Sequence, residues 1–232
     1  MILAHSLSYQ YPSGPLLTFP DVGVAQGAAL LLKGPSGCGK STWLALVAGL
    51  VQPTSGRVQV AGQPLFGLGR VATDAWRATT IGFLPQKLHL SSALTVEQNL
   101  AMAQWAAGQP EDSKRTLAAL EALGVADLVH RKPGQLSGGQ AQRVALARAV
   151  LLQPRVILAD EPTASLDDEA CADAVRLLLH TAGLHGSTLV IGTHDGRVAS
   201  LLATMGQAAA DVHTLSLQRA PATGVGAAET GP

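Results

Sequence analysis

Ala28-Ala29-Leu30-Leu31-Leu32-Lys33-Gly34-Pro35-Ser36-Gly37-Cys38-Gly39-Lys40-Ser41 runs from an unbroken apolar segment into G-x-x-x-x-G-K-S without a gap. An apolar run of this length is the pattern of a strand buried on both faces. The residues that follow, Ser41–Leu50, read as a helix. Strand, glycine-rich loop and helix together make the context that a phosphate-binding loop requires. The glycines let backbone N–H groups curl around an anion, and the helix points its positive dipole end at the same place. In such a loop Lys40 bridges the β- and γ-phosphates and Ser41 ligates Mg²⁺. Gly34, Pro35, Ser36, Gly37, Cys38, Gly39, Lys40, Ser41 and Thr42 are therefore candidate nucleotide-binding residues. Cys38 has two readings, a thiol-sensitive position or a small residue that fits the loop, and the second is favoured.

Two further stretches carry chemistry. Val156–Ala159 is a second apolar strand, and it ends at Asp160-Glu161. Ligands of parallel sheets bind at strand C-termini, so these acids are expected beside the phosphate loop. Asp160 suits a water-mediated hold on Mg²⁺. Glu161, one residue further out, suits a general base acting on the attacking water. Leu136-Ser137-Gly138-Gly139-Gln140 opens a helix, Gly138–Leu152, with a hydroxyl and two bare backbone amides. That is a second anion site. Either the two helix ends converge within one chain, or each faces a nucleotide held by another copy.

The rest of the chain frames these motifs. Ile2, Ala4 and Leu7 begin a loosely alternating strand region over residues 2–33, interrupted by the turn-rich Tyr11-Pro12-Ser13-Gly14-Pro15. Gly56–Gly62 and Ile81–Leu84 read as strands, the latter ending at Pro85-Gln86. From about residue 87 the periodicity turns helical. Thr95-Val96-Glu97-Gln98 fits a capping box, and Leu100, Ala103 and Ala107 continue one helix face. Glu111–Leu123 is amphipathic and stops at Gly124. Residues of about 87–152 therefore read as a helical subdomain inserted into an α/β core. Asp168–Thr181 reads as a helix, Thr188–Gly192 as a strand, and Met205–Ala208 and Val212–Leu217 as closing strands. Residues 1–218 make one domain on this reading, and 219–232 a mobile tail.

Composition narrows the function. The 232 residues carry zero formal net charge, which argues against an electrostatic nucleic-acid binder. Charged residues make up only 14%; this fits either a surface that faces a partner or an Ala-rich composition. No apolar run approaches a membrane span, and the N-terminus lacks a secretory pattern. Cys38 and Cys171 form neither a disulfide framework nor a metal pattern, which points to a reducing, cytosolic compartment.

With these motifs in this order, the chain resembles the nucleotide-binding subunit of an ATP-binding cassette (ABC) transporter over residues of about 2–217. Gln86 matches the family's glutamine loop, and His194 in Gly192-Thr193-His194-Asp195 matches its switch histidine. Ser165-Leu166-Asp167 matches the D-loop, although Ala164-Ser165 departs from the commonest Ser-Ala before Leu-Asp. Tyr11, with Tyr9 as alternative, matches the aromatic that stacks on adenine. The resemblance implies a P-loop NTPase core with an antiparallel β subdomain and an inserted helical subdomain, binding ATP and Mg²⁺. It implies a head-to-tail dimer in which Ser137, Gly138, Gly139 and Gln140 close on the partner's ATP and Asp167 touches across the interface. Lys40, Glu161, His194 and Gln86 would serve hydrolysis, and Ser41, Gln86 and Asp160 the metal. Gln86 would also link the metal site to a separate membrane permease, holding the subunit on the inner face of the cell membrane. Leu94–Asn99 and Leu158–Thr163 resemble most the lipoprotein-releasing, macrolide-export and cell-division branch, whose last member regulates a permease-like complex without transport. Amino-acid importers share much of that signal. No nucleic-acid partner is implied.

Overall fold

The computed structural model describes residues 1–12, 14–164, 166–206 and 211–218. Ser165 and the expected tail at 219–232 lie outside the described residues.

The chain begins with β1 (Ile2–Gln10), β2 (Leu16–Thr18), β3 (Val22–Val24) and β4 (Ala29–Lys33), then α1 (Lys40–Val47), β5 (Ser55–Val60) and β6 (Gln63–Pro64). It continues through α2 (Arg70–Thr80), β7 (Ile81–Leu84), α3 (Val96–Ala106), α4 (Ser113–Ala122) and α5 (Gly138–Val150). It closes with β8 (Val156–Asp160), α6 (Asp168–His185), β9 (Thr188–Thr193), α7 (Gly196–Gly206) and β10 (Val212–Ser216).

Two sheets result. One has the order β10-β4-β9-β8-β7 with every pair parallel. The other is antiparallel: β1 pairs β5 along one edge, and β2 and β3 along the other. The parallel strands are buried on both faces, as unbroken apolar runs require. Their alternation sorts the core into two layers. Leu31, Ile157 and Ile191 face α5 and α6 with Val144, Val175 and Leu178. Leu30, Leu32, Leu158 and Val190 face α1 and the antiparallel sheet, with Trp43, Leu44, Ile2, Leu7, Val58 and Val60. Between these layers every C-terminal strand end of the parallel sheet opens at the same edge. That is the edge where the phosphate loop leaves β4 and where Asp160 ends β8.

The helices α3, α4 and α5 pack on one another through Leu100, Leu120 and Val144. Thr95 caps α3 with the full reciprocal box that the sequence spells. Arg148 of α5 reaches back to donate to the carbonyls of Leu88 at 2.7 Å and His89 at 2.8 Å. It thereby pins the loop that follows Gln86 to α5. His89 sits at φ 48, a strained setting that this tether helps to hold.

The structure corrects several sequence expectations. α1 ends at Val47, not Leu50, because Gly49 takes a left-handed φ of 65 and stops it. α2 is absent from the sequence reading, since its fully buried positions are Thr73 and Thr80 rather than an apolar stripe. α4 starts at Ser113, capped by Asp112, not at Glu111. α6 runs past Thr181 to His185, with Ala182 buried and Gly183 carried inside the helix. Met205 belongs to α7 rather than to a strand, while residues 207 and 208 lie outside the described residues. Among the described residues no helix is long and apolar enough to cross a membrane.

Candidate nucleotide site

The phosphate loop turns directly from β4 into α1. Its last residue, Gly39, stands at the helix cap with φ 100, and no side chain caps the first turn. A Cβ there would lie 3.2 Å from both Leu17 and Phe19, so only glycine fits both the angle and the space. The first N–H groups of α1 are thus left for a ligand. Cys38 is buried beneath the loop, which fits the packing reading of its thiol.

Lys40 is only 5% exposed, so its charge must be met within the site. Its ammonium donates to the carbonyls of Gly34 at 2.8 Å and Pro35 at 3.3 Å, and pairs with Glu161 Oε1 at 3.2 Å. Glu161 sits just past β8 at a left-handed φ of 48, a strained conformation for a non-glycine residue. Thr193 Oγ1 donates to its Oε2 at 2.8 Å, and His194 Nδ1 lies 2.8 Å from its Oε1. Burial pushes the Glu161 carboxyl up. The hydrogen bonds from His194, Thr193 and Lys40, with the Lys40 charge, outweigh it and hold the group below its ordinary value. Glu161 is therefore an ionised acceptor in a ring of donors.

Asp160 is in the opposite condition. Burial is the main cause of an upward shift. The Ser41 hydrogen bond pulls the other way, Glu161 adds to the shift and Lys40 opposes it. Its Oδ1 is buried without a hydrogen-bond partner. A buried, unpartnered carboxylate oxygen beside a serine hydroxyl is the donor set that a hard cation completes. The described residues hold no cluster of three or more His, Cys, Asp or Glu that could bind a metal alone. A Mg²⁺ here would take the remainder of its shell from phosphate and water. Ser41 and Asp160 have the donor chemistry for such an ion, and Gln86 lines the same cleft.

A cleft of about 390 Å³ gathers Tyr11, Ser36, Gly37, Gly39, Lys40, Ser41, Thr42, Gln86, Glu161 and His194. Tyr11 is 46% exposed and hydrogen-bonds Thr42 Oγ1 at 2.9 Å, while its ring stands edge-on to Tyr9 at 4.8 Å. Tyr9 packs against the core instead of lining the cleft. Of the two tyrosines, only Tyr11 lines the cleft. A larger groove of about 570 Å³ lies between α2, α3, α5 and β7, and it carries no phosphate-loop residue.

The pentapeptide and Asp167 do not line this cleft. Ser137 makes a capping box with Gln140, accepting its N–H at 3.3 Å while the Gln140 side chain accepts the Ser137 N–H at 2.9 Å. Gly138 and Gly139 are exposed, and a Cβ on either would meet nothing. Asp167 is likewise exposed, accepting from the Ala170 N–H at 2.8 Å. Within one chain the helix end at Ser137 stays outside the phosphate-loop cleft.

The sequence reading passed over Thr163, Thr193, Asp195 and Arg197, which buttress the site from behind. Arg197 grips both oxygens of Asp195, and Thr163 Oγ1 donates to the same carboxylate. The Arg197 hydrogen bonds and charge hold Asp195 at about 2. The folded value lies below the unfolded one, so this group stabilises the fold above about pH 4 and ceases to as pH falls toward 2. The linkage is worth at most about 2 kcal/mol, trimmed by solvent because Arg197 is 40% exposed. Asp195→Asn should therefore flatten the decline in melting temperature between about pH 4 and 2 relative to the parent. Equal slopes in both proteins would refute this assignment.

A phosphate loop, an ionised acid and a histidine on one cleft of a parallel sheet define a P-loop ATPase. The chain belongs to the ABC transporter family, whose model, described as ABC transporter, matches residues 19–164. It is 40% identical over 206 residues to a macrolide export ATP-binding/permease protein, MacB 1/2, of Paracoccus denitrificans; this covers 86% of the chain and 31% of that protein. It is 38% identical over 201 residues to the lipoprotein-releasing system ATP-binding protein LolD 1 of Rhodopirellula baltica, covering 84% of the chain and 88% of that protein. The chain thus spans about a third of the macrolide-export relative but most of the lipoprotein-releasing one. Its fold matches the dimeric structure of MJ0796, a bacterial ABC transporter cassette, with a TM-score of 0.78 and 30% identity over 93% of this chain and 94% of that one. A post-hydrolysis state of the same cassette, dimeric and bound to ADP and Pi, gives 0.79 and 30% identity over 94% and 97%. The chain is an ABC ATPase, hydrolysing ATP to ADP and phosphate as the motor subunit of a transport system.

Proposed function

We propose that two copies of this chain close head to tail around two MgATP, each site built from one copy's phosphate loop and the other's Ser137–Gln140 turn. The observation that carries this reading is the exposed, cleft-averted turn at Ser137–Gly139. A helix N-terminus with bare amides has no anion of its own chain to meet, and a two-fold pairing gives it one.

The cleft supports the following division of work. Lys40 now neutralises Glu161, and arriving phosphates draw the ammonium to themselves. Glu161, released but still held by Thr193, takes the proton of the attacking water. His194 fixes the Glu161 carboxylate and is exposed enough to reach the terminal phosphate. Ser41, Asp160 and Gln86 would hold a Mg²⁺, which would supply positive charge against the phosphates. Tyr11 stacks on the base, and Asp167 meets the second copy.

The partner is an integral membrane permease of the lipoprotein-release or macrolide-export type. This rests on the relatives just named and on the groove beside Gln86's loop. Leu50, Phe83, Met102 and Leu152 line it, and so does Arg148, the residue that grips the carbonyls of Leu88 and His89. A permease segment seated there can therefore reach the loop that follows Gln86 through one side chain. The ATPase would then work at the cytoplasmic face of the membrane. Met102 is 42% exposed at the groove and does not line the nucleotide cleft. Met102→Arg should reduce recovery of the subunit with purified membranes at least about tenfold and leave the isolated subunit's ATPase activity unchanged. Unreduced membrane recovery would place the permease elsewhere.

A further inference from the structure

The geometry points to Arg197 as a positioning residue for hydrolysis, a clamp that locks the Leu166–Asp168 turn to the His194 turn.

Arg197 is the second residue of α7, and it does not line the nucleotide site. Its guanidinium nevertheless spends its donors on two loops at once. Nε lies 3.0 and 3.1 Å from the two Asp195 oxygens, and a terminal nitrogen lies 2.7 Å from one of them. That same nitrogen donates to the Leu166 carbonyl at 3.2 Å, and the other terminal nitrogen donates to Asp168 Oδ1 at 2.6 Å. The planar fork thus bridges the start of α6 and the end of β9 with charge-assisted bonds. From Asp195 the chain of contacts continues inward. The Asp195 N–H donates to Thr193 Oγ1 at 3.0 Å, and that hydroxyl donates in turn to Glu161 Oε2 at 2.8 Å. Thr163 Oγ1 adds a third hold on Asp195, at 3.2 Å, from the loop just past Glu161. Asp168, Arg197, Asp195, Thr193 and Glu161 form one unbroken hydrogen-bonded line.

Two consequences follow. The short hydrogen bonds to the Asp195 carboxylate come from Arg197 and Thr163, so removing the guanidinium loosens the Thr193–Asp195 turn that carries His194. A displacement of about 1 Å in such a group costs up to roughly a hundredfold in rate. The outer end of the line is the residue next to Asp167, which under the dimer reading faces the second copy. A partner pressing on Asp167 therefore acts on Glu161 through bonds already in place. This inference rests on the roles proposed for Glu161 and His194.

The test is steady-state ATPase kinetics and thermal melting on the full chain, comparing the parent with Arg197→Ala, Arg197→Lys, Asp168→Ala, the Arg197→Ala/Asp168→Ala double variant and Glu161→Gln. At a temperature well below every melting transition, Arg197→Ala should lower kcat roughly ten- to a hundredfold with KM for ATP changed less than about twofold. Arg197→Lys keeps the charge but loses the fork, and should stay at least about fivefold down. The double variant should be no slower than Arg197→Ala alone, because both cut the same line. A folded Arg197→Ala protein with parental kcat overturns the inference. Should that variant fail to melt cooperatively, Asp168→Ala decides: its side chain is 92% exposed, so its removal opens no cavity. A kcat at least about threefold down then supports the clamp, and parental kcat overturns it. Persisting turnover in Glu161→Gln defeats the site reading itself. A dead Glu161→Gln beside a fully active Arg197→Ala defeats only the clamp.

Discussion

Replacing Glu161 by Gln is expected to lower ATP turnover by about 10²- to 10⁴-fold while leaving nucleotide binding intact. The physical reason is local. An amide still accepts from Thr193 Oγ1 and lies within reach of His194, so the strained turn at φ 48 keeps its supports. It cannot accept a proton from water. Lys40 loses a counter-ion but retains the Gly34 and Pro35 carbonyls, so the empty site survives. With chemistry blocked and ATP bound, the two copies should stay closed. Light scattering in ATP should report a dimer that the parent shows only transiently. A variant that remains monomeric at ATP well above its binding constant would count against the closed pair. In the parent, the lowered Glu161 pKa sets the sign of the pH dependence. The carboxylate stays ionised above its folded value, and activity that needs it should fall as pH drops through that value, below the ordinary carboxylate range.

Lys40→Ala should have an effect of similar size by a different route. The ammonium is the buried positive charge within 3.2 Å of the acid, and it is the charge placed to meet phosphates. Its loss removes a preorganised donor from a water-poor site, a change that costs about 10²- to 10³-fold in rate. It also leaves Glu161, only 10% exposed, without an ion partner. Breaking a buried pair from one side is costly, whereas removing both charges is less so. The Lys40→Ala/Glu161→Gln protein should therefore melt above Lys40→Ala alone. A double variant that melts lower would show that the pair does not carry the predicted strain.

Much of this site was legible in the sequence, for reasons visible residue by residue. β4, β8 and β9 are buried on both faces, so their runs from Ala29, Val156 and Thr188 stand out without any partner being known. Thr95 announces its helix because a capping box is made entirely within four residues, and the structure adds a like box at Ser137. α2 stayed hidden because threonines, not leucines, turn inward. The choice between Tyr9 and Tyr11 stayed open because one lies in the last residues of β1 and the other just past its end, and only the fold shows which lines the cleft. Arg197 was invisible for another reason. Its partner Asp195 is near in sequence, but Asp168 and Leu166 come from an element 29 and 31 residues away. No local pattern encodes that meeting.

The central claim is that each site draws on two copies of the chain, and mixing two defective chains tests it most directly. Ser137→Arg spoils the turn and Lys40→Ala the phosphate loop, so neither protein alone should hydrolyse ATP. In a heterodimer one site collects both defects and the other is built from the intact halves. A one-to-one mixture should recover about a quarter of parental activity, the statistical share of intact sites under two-fold pairing. If heterodimers form, as native mass measurement would show, yet activity equals the sum of the separate proteins, the shared site is contradicted.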